Sequence, residues 1–90
     1  MKVRKHFIIK GSVQGVGFRY RACHAAEYFG VTGWVRNLYD GSVEMEAEGT
    51  PGDIQSLFDA IERGTFIHIE QIEEEMIPLQ HGRTFESRYE

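Results

Sequence analysis

Residues 31–49 read VTGWVRNLYDGSVEMEAEG. Residues 31–39 are rich in β-branched and aromatic side chains, as a strand requires. Residues 42–49 alternate cleanly, with Val43, Met45 and Ala47 on one face and Glu44, Glu46 and Glu48 on the other. Asp40–Gly41 between the two runs is a strong hairpin signal. Trp34 opens the first run and reads as a core residue.

The fold follows from what flanks this hairpin. Upstream, FRYRACHAAEYF at 18–29 places Phe18, Ala22, Ala25, Ala26 and Phe29 on one helical stripe, and Gly30 suits a left-handed cap. Downstream, Thr50 suits an N-cap, Pro51 the first helical position and Asp53 the third. Ile54, Leu57, Phe58 and Ile61 supply that helix with its apolar stripe, and Gly64 is placed to close it.

Strands complete the two ends. One is predicted over residues 3–10, and another over FIHIEQIEEEMI at 66–77. In the latter the alternation slips between Ile69 and Ile72, which predicts a bulge. RTFESRY at 83–89 reads as a short final strand. The order β-α-β-β-α-β plus a terminal strand predicts an α+β, ferredoxin-like fold. This is a split βαββαβ sandwich with a largely antiparallel sheet of four to five strands and two helices on one face. The fold hosts enzymes, regulatory domains and RNA binders, so it does not choose a function.

Ninety residues with 41% hydrophobic side chains make a single domain, 1–90, without repeats or linkers. One cysteine, Cys23, leaves no internal disulfide and fits a cytoplasmic setting. It reads as an unreactive helix residue. The apolar run Phe7–Ile9 is too short for a membrane span or a secretory leader. The net charge of −4 is divided unevenly. Residues 1–40 carry seven Lys or Arg against two acids, and residues 41–90 carry three against twelve. An acidic whole argues against a nucleic-acid binder that works by charge. The basic first half suits a small anion.

That half contains GSVQGVGFR, residues 11–19. Gly11, Gly15 and Gly17 would let the backbone bend tightly between a strand and a helix N-terminus, where amide N–H groups lack helical partners. Such N–H groups form an anion nest, and Arg19 in the first helical turn can offer two donors to the same oxyanion. Neither the nucleotide P-loop nor the dinucleotide glycine spacing is present. With no adjacent lysine and no acid cluster, the loop suits phosphate without a metal or cofactor. His6, His24, His68 and His81 lack metal-ligand spacing and read as structural or exposed. Glu73, Glu74 and Glu75 read as a solvated face. From the residues alone, Arg19 could equally be a solvated arginine and Asn37 a turn former.

The paired segments GSVQGVGFR and GWVRNLYDGSVEMEAEG, with the closing FESRY, resemble the signatures of the acylphosphatases over nearly the whole chain. The resemblance implies hydrolysis of the carboxyl–phosphate bond of small acyl phosphates. It assigns phosphate binding through backbone N–H to Gln14, Gly15, Val16, Gly17 and Phe18. It assigns substrate binding to Arg19 and water positioning to Asn37. In this family a C-terminal carboxylate can help hold the arginine, which leaves Tyr89 or Glu90 as the residue that would help position Arg19. Inorganic phosphate or sulfate should compete with substrate, and a monomer is expected. The alternatives are a non-catalytic anion- or RNA-binding module of the same fold, or a carbamoyl-phosphate-handling domain. An RNA-recognition surface needs aromatic residues on the central strands, where SVEMEAEG places glutamates.

Overall fold

In the computed structural model, which describes residues 1–89, the chain runs β1 (Val3–Ser12), α1 (Phe18–Phe29), β2 (Thr32–Asn37), β3 (Val43–Gly49), α2 (Pro51–Glu62), β4 (His68–Ile77) and β5 (Phe85–Arg88). The five strands form one sheet in the order β4-β1-β3-β2-β5. Every pairing is antiparallel except β2 with β5. The ferredoxin-like α+β architecture read from the sequence is therefore the observed one.

Period-2 alternation puts Phe7 and Ile9 of β1, Val35 of β2, and Val43, Met45 and Ala47 of β3 on one face of the sheet, all buried. They join Phe18, Ala22 and Ala26 of α1 and Ile54, Leu57 and Ile61 of α2 in a single core. Both helices begin where the sequence places them, and α1 also ends there. Gly30 takes the left-handed conformation, φ 72°, and closes α1. The Thr50 hydroxyl accepts the Asp53 N–H at 3.1 Å and caps α2. Gly64 does not close α2, whose last turn ends at Arg63 in right-handed conformation.

The bulge falls inside the predicted interval. Lys10 pairs with Gln71 but Gly11 pairs with Ile69, so Glu70 is the extra residue on β4. Gly11 is thereby explained by strand pairing rather than by the loop. Its φ is 133°, and a Cβ there would run into the His68 carbonyl oxygen. Strand β4 begins later than read from sequence, because Phe66 lies in the preceding turn with its ring exposed.

The β2–β3 connection is also wider than a two-residue Asp-Gly turn. It spans Leu38 to Ser42, with the Leu38 N–H donating to the Ser42 carbonyl at 2.9 Å and the Gly41 N–H to the Leu38 carbonyl at 3.2 Å. Gly41 has φ 95°, whereas Asp40 has a negative φ, as a type I′ pair would not. Asp40 acts through its side chain instead. Its Oδ1 accepts the Ser42 N–H at 3.0 Å and the Ser42 hydroxyl at 2.6 Å. These hydrogen bonds from Ser42, first the hydroxyl and then the N–H, hold the Asp40 carboxyl below its ordinary range.

One expectation about the opposite face needs correction. Trp34 is not in the core. It lies on the helix-free face, where the Arg36 and Arg88 guanidinium groups sit 5.5 and 5.0 Å from its ring centre. The β3 glutamates point outward, as their alternation predicts, and each is paired. Glu44 accepts from His6 at 2.7 Å and from Arg36 at 2.6 Å. Arg4 donates to Glu46 at 2.9 Å and to Glu48 at 3.2 Å. Glu48 is only 4% exposed, because the segment after β4 crosses over it and donates the Gln80 and His81 N–H groups at 2.8 and 3.0 Å. The basic first half of the chain thus meets the acidic second half across the sheet. Lys5 pairs with Glu74 and Lys10 with Glu73 in the same way.

Burial pushes the Glu48 carboxyl up, but the Gln80 N–H, the Arg4 guanidinium and the His81 N–H outweigh it and leave the group below its ordinary range. A depressed folded value means that ionised Glu48 contributes stability above its unfolded value of about 4.3. That contribution is lost as pH falls through the folded value. Glu48→Gln is expected to lower the urea unfolding free energy at neutral pH by roughly 3 kcal/mol, since Arg4 loses one of its two charged partners. The variant should also show a shallower loss of stability on acidification below about pH 4.3 than the native chain.

Candidate active site

Residues 13–17 link the end of β1 to α1. Gly15 and Gly17 hold φ values of 72° and 86°, and Gly17 is the N-cap of α1. Left-handed residues of this kind are what a backbone anion nest is built from. Val16 packs against the core and Phe18 is buried, so the loop is anchored by its apolar side chains.

The two helix starts differ in a telling way. At α2 the Thr50 side chain caps the first turn and Asp53 supplies a negative charge there. At α1 no side chain caps the first turn and no acid lies in it. The first helical N–H groups of α1 therefore retain their donor capacity and the positive end of the helix dipole. Such a terminus attracts an anion.

A cleft of about 170 Å³ opens at this point, lined by Gly15, Gly17, Phe18, Arg19, Tyr20 and Asn37. Arg19 reaches it from the first turn of α1, and Asn37 from the last position of β2. Asn37 shares the core-facing side of β2 with Val35, two residues earlier, and its strand partner is Val43. A larger groove of about 600 Å³ between the helices, lined in part by Tyr20, Arg21, His24 and Arg63, adjoins the cleft through Gly17 and Tyr20. The smaller cleft is where the glycine loop, Arg19 and Asn37 meet.

The structure thus brings together Gly15, Gly17, Phe18, Arg19 and Asn37. Gln14 and Val16 belong to the same loop, but their side chains turn elsewhere. Val16 enters the core, and the Gln14 amide donates to the Leu38 carbonyl at 2.7 Å and to the Ser42 carbonyl at 2.8 Å. Arg19 lies 4.8 Å from the centre of the Tyr89 ring. Strand β5, laid parallel beside β2, delivers that ring. Glu90 lies outside the described residues, and so does the question of its carboxylate.

Neither the Gln14 bonds nor the Tyr89 contact has a local signal in the sequence. Among the described residues, no three His, Cys, Asp or Glu side chains gather as metal ligands. Burial pushes the Cys23 thiol up, an effect only partly opposed by the Arg19 guanidinium. The uncharged thiol is favoured as a result, in keeping with an inert helix residue. No helix among the described residues is long and apolar enough to cross a membrane.

The family described as Acylphosphatase matches residues 5–87. An acylphosphatase of Geobacillus thermodenitrificans is 50% identical over 74 residues, covering 76% of this chain and 79% of that protein. The crystal structure of acylphosphatase from Bacillus subtilis superposes with TM-score 0.84 at 35% identity, covering 99% of this chain and 100% of that one. The structure of T. kodakarensis HypF matches with TM-score 0.79 at 32% identity, covering 98% of this chain but only 12% of that one.

A Cβ added at Gly17 meets nothing within 4 Å, so any penalty there is purely conformational. Gly17→Ala is expected to lower stability by about 1 kcal/mol in urea unfolding, the cost of holding an L-residue in the left-handed region. An unchanged unfolding free energy would show that the turn does not need that conformation.

Proposed function

The chain belongs to the acylphosphatase family and is a hydrolase of acyl phosphates; on that premise we propose that Arg19 holds the phosphoryl group and Asn37 the attacking water. The observation that carries this reading is the single cleft in which an uncapped helix N-terminus, a guanidinium and a neutral amide converge. The phosphoryl oxygens sit in the nest made by the backbone of residues 14–18. The Arg19 fork donates to two of those oxygens and neutralises the charge that the transition state spreads over them.

Hydrolysis forms a bond from the water oxygen to phosphorus and breaks the bond from phosphorus to the acyl oxygen. The electron pair leaves with the carboxylate, which is a good leaving group and needs little general-acid help. Asn37 orients the water by hydrogen bonding. A carboxylate in its place would repel the phosphoryl dianion, at a cost of about 8 kcal/mol at 4 Å for an effective dielectric of about 20. The amide adds no such charge. The proton released by the water passes to a substrate oxygen, so no protein base is required.

The domain spans residues 1–90 and acts as a monomer on small acyl phosphates, with inorganic phosphate and sulfate as competitors for the nest. No cofactor is required, since charge on the phosphoryl group is met by Arg19 and backbone N–H. A cytoplasmic location fits the lone, unpaired Cys23. The outward faces of β1 and β3 carry paired charges rather than stacking aromatics, which favours this reading over an RNA-binding module.

Turnover of a simple acyl phosphate tests the assignment. Arg19→Ala is expected to abolish most activity and weaken competition by inorganic phosphate while the fold is retained. Arg19→Lys should fail as well, because a point charge cannot reproduce the fork. Substantial activity in Arg19→Ala would remove Arg19 from the site. Asn37→Ala is expected to lower kcat by roughly 10²–10³ with little change in KM. A large rise in KM at constant kcat would instead make Asn37 a binding residue.

A further inference from the structure

We propose that the Gln14 side chain is a positioning residue for the hydrolysis, a clip that fixes the β2–β3 turn, and through it Asn37, against the phosphate loop. The inference rests on the role of Asn37 given above. Family resemblance assigns Gln14 only through its backbone N–H, which leaves its side chain without a task.

The geometry supplies one. Both hydrogens of the Gln14 amide are used, one on the Leu38 carbonyl at 2.7 Å and one on the Ser42 carbonyl at 2.8 Å. Leu38 directly follows Asn37, and Ser42 directly precedes Val43, the cross-strand partner of Asn37. The clip therefore grips the chain on both sides of the Asn37–Val43 pair. Ser42 is 3% exposed and Gln14 half-buried, so water competes weakly for these bonds.

The need for a clip follows from topology. Arg19 and the nest belong to the β1–α1 connection, whereas Asn37 ends β2, where the ladder gives way to a five-residue turn. The turn is closed internally by the Leu38 N–H on the Ser42 carbonyl and by the Ser42 N–H and hydroxyl on Asp40, but those bonds do not set its distance from the loop. The Gln14 bonds do. A primary amide suits the task, because one nitrogen carries two donors and no charge. Glutamate has no donor, and a lysine would put a cation beside the nest. A displacement of about 1 Å in a water-positioning group is worth a factor of about 10² in rate.

The test compares native protein, Gln14→Ala, Asn37→Ala and the double variant, each retaining a backbone N–H at position 14. Gln14→Ala is expected to lower kcat by about 10- to 100-fold while KM and inhibition by inorganic phosphate move less than about threefold. In the Asn37→Ala background the same substitution should cost less than about threefold in kcat, because the group it positions is gone. Gln14→Asn, neutral but too short to reach both carbonyls, should follow Gln14→Ala. It guards against a variant that fails to fold, and urea unfolding checks each protein. Equal losses in both backgrounds, or phosphate affinity falling with kcat, would overturn the clip and leave the Asn37 assignment standing. An Asn37→Ala enzyme with undiminished kcat would overturn both.

Discussion

Strand β3 must satisfy opposite demands on its two faces, and the rest of the molecule is arranged around that constraint. On one face Val43, Met45 and Ala47 are fully excluded from water. On the other, Glu44, Glu46 and Glu48 need cations or N–H donors before their neighbours can close over them. The helices cover the first face. Arg4 and His6 of β1 and Arg36 of β2 serve the second, joined by the backbone of residues 80 and 81. A central position in the sheet is the one place where a strand can collect such partners from both sides.

This arrangement also accounts for the electrostatics of the site. The bases of β1 are spent on acids of β3 and β4, so the uneven charge of the chain does not become a general basic surface. Positive character at the cleft comes from the α1 terminus and Arg19 instead. Both are short-range and directional. That suits a small phosphoryl group better than a polyanion, whose binding depends on many spread cations.

The site joins segments that are distant in sequence through ordinary strand pairing. β2 lies beside β3, which places Asn37 at the sheet end where β1 also hands over to the glycine loop. β5 lies beside β2 and brings Tyr89 to Arg19. The helix-free face, by contrast, carries Trp34 between two arginines and the paired glutamates, none of which lines the cleft.

Much of this was legible in the order of residues alone. Periods of 2 and 3.6 are local, so both helices, the outward and inward sides of β3 and the bulge near Glu70 could be read from neighbouring residues. The motifs around Arg19 and Asn37 were legible for the same reason: their internal spacing is short and fixed. The open face was not. Alternation says that Glu48 points away from the core, but not that residues 80 and 81 return to bury it or that Arg4 waits opposite. Trp34 misled likewise, since size and apolarity suggest a core whichever side of the sheet the pleat presents. The partners of Gln14 lie 24 and 28 residues away, at carbonyls that every residue possesses. Backbone acceptors leave no mark in a side-chain sequence. Only the packing of strands brings a particular carbonyl within reach, so the tertiary structure alone decides which bonds link the loop to the turn.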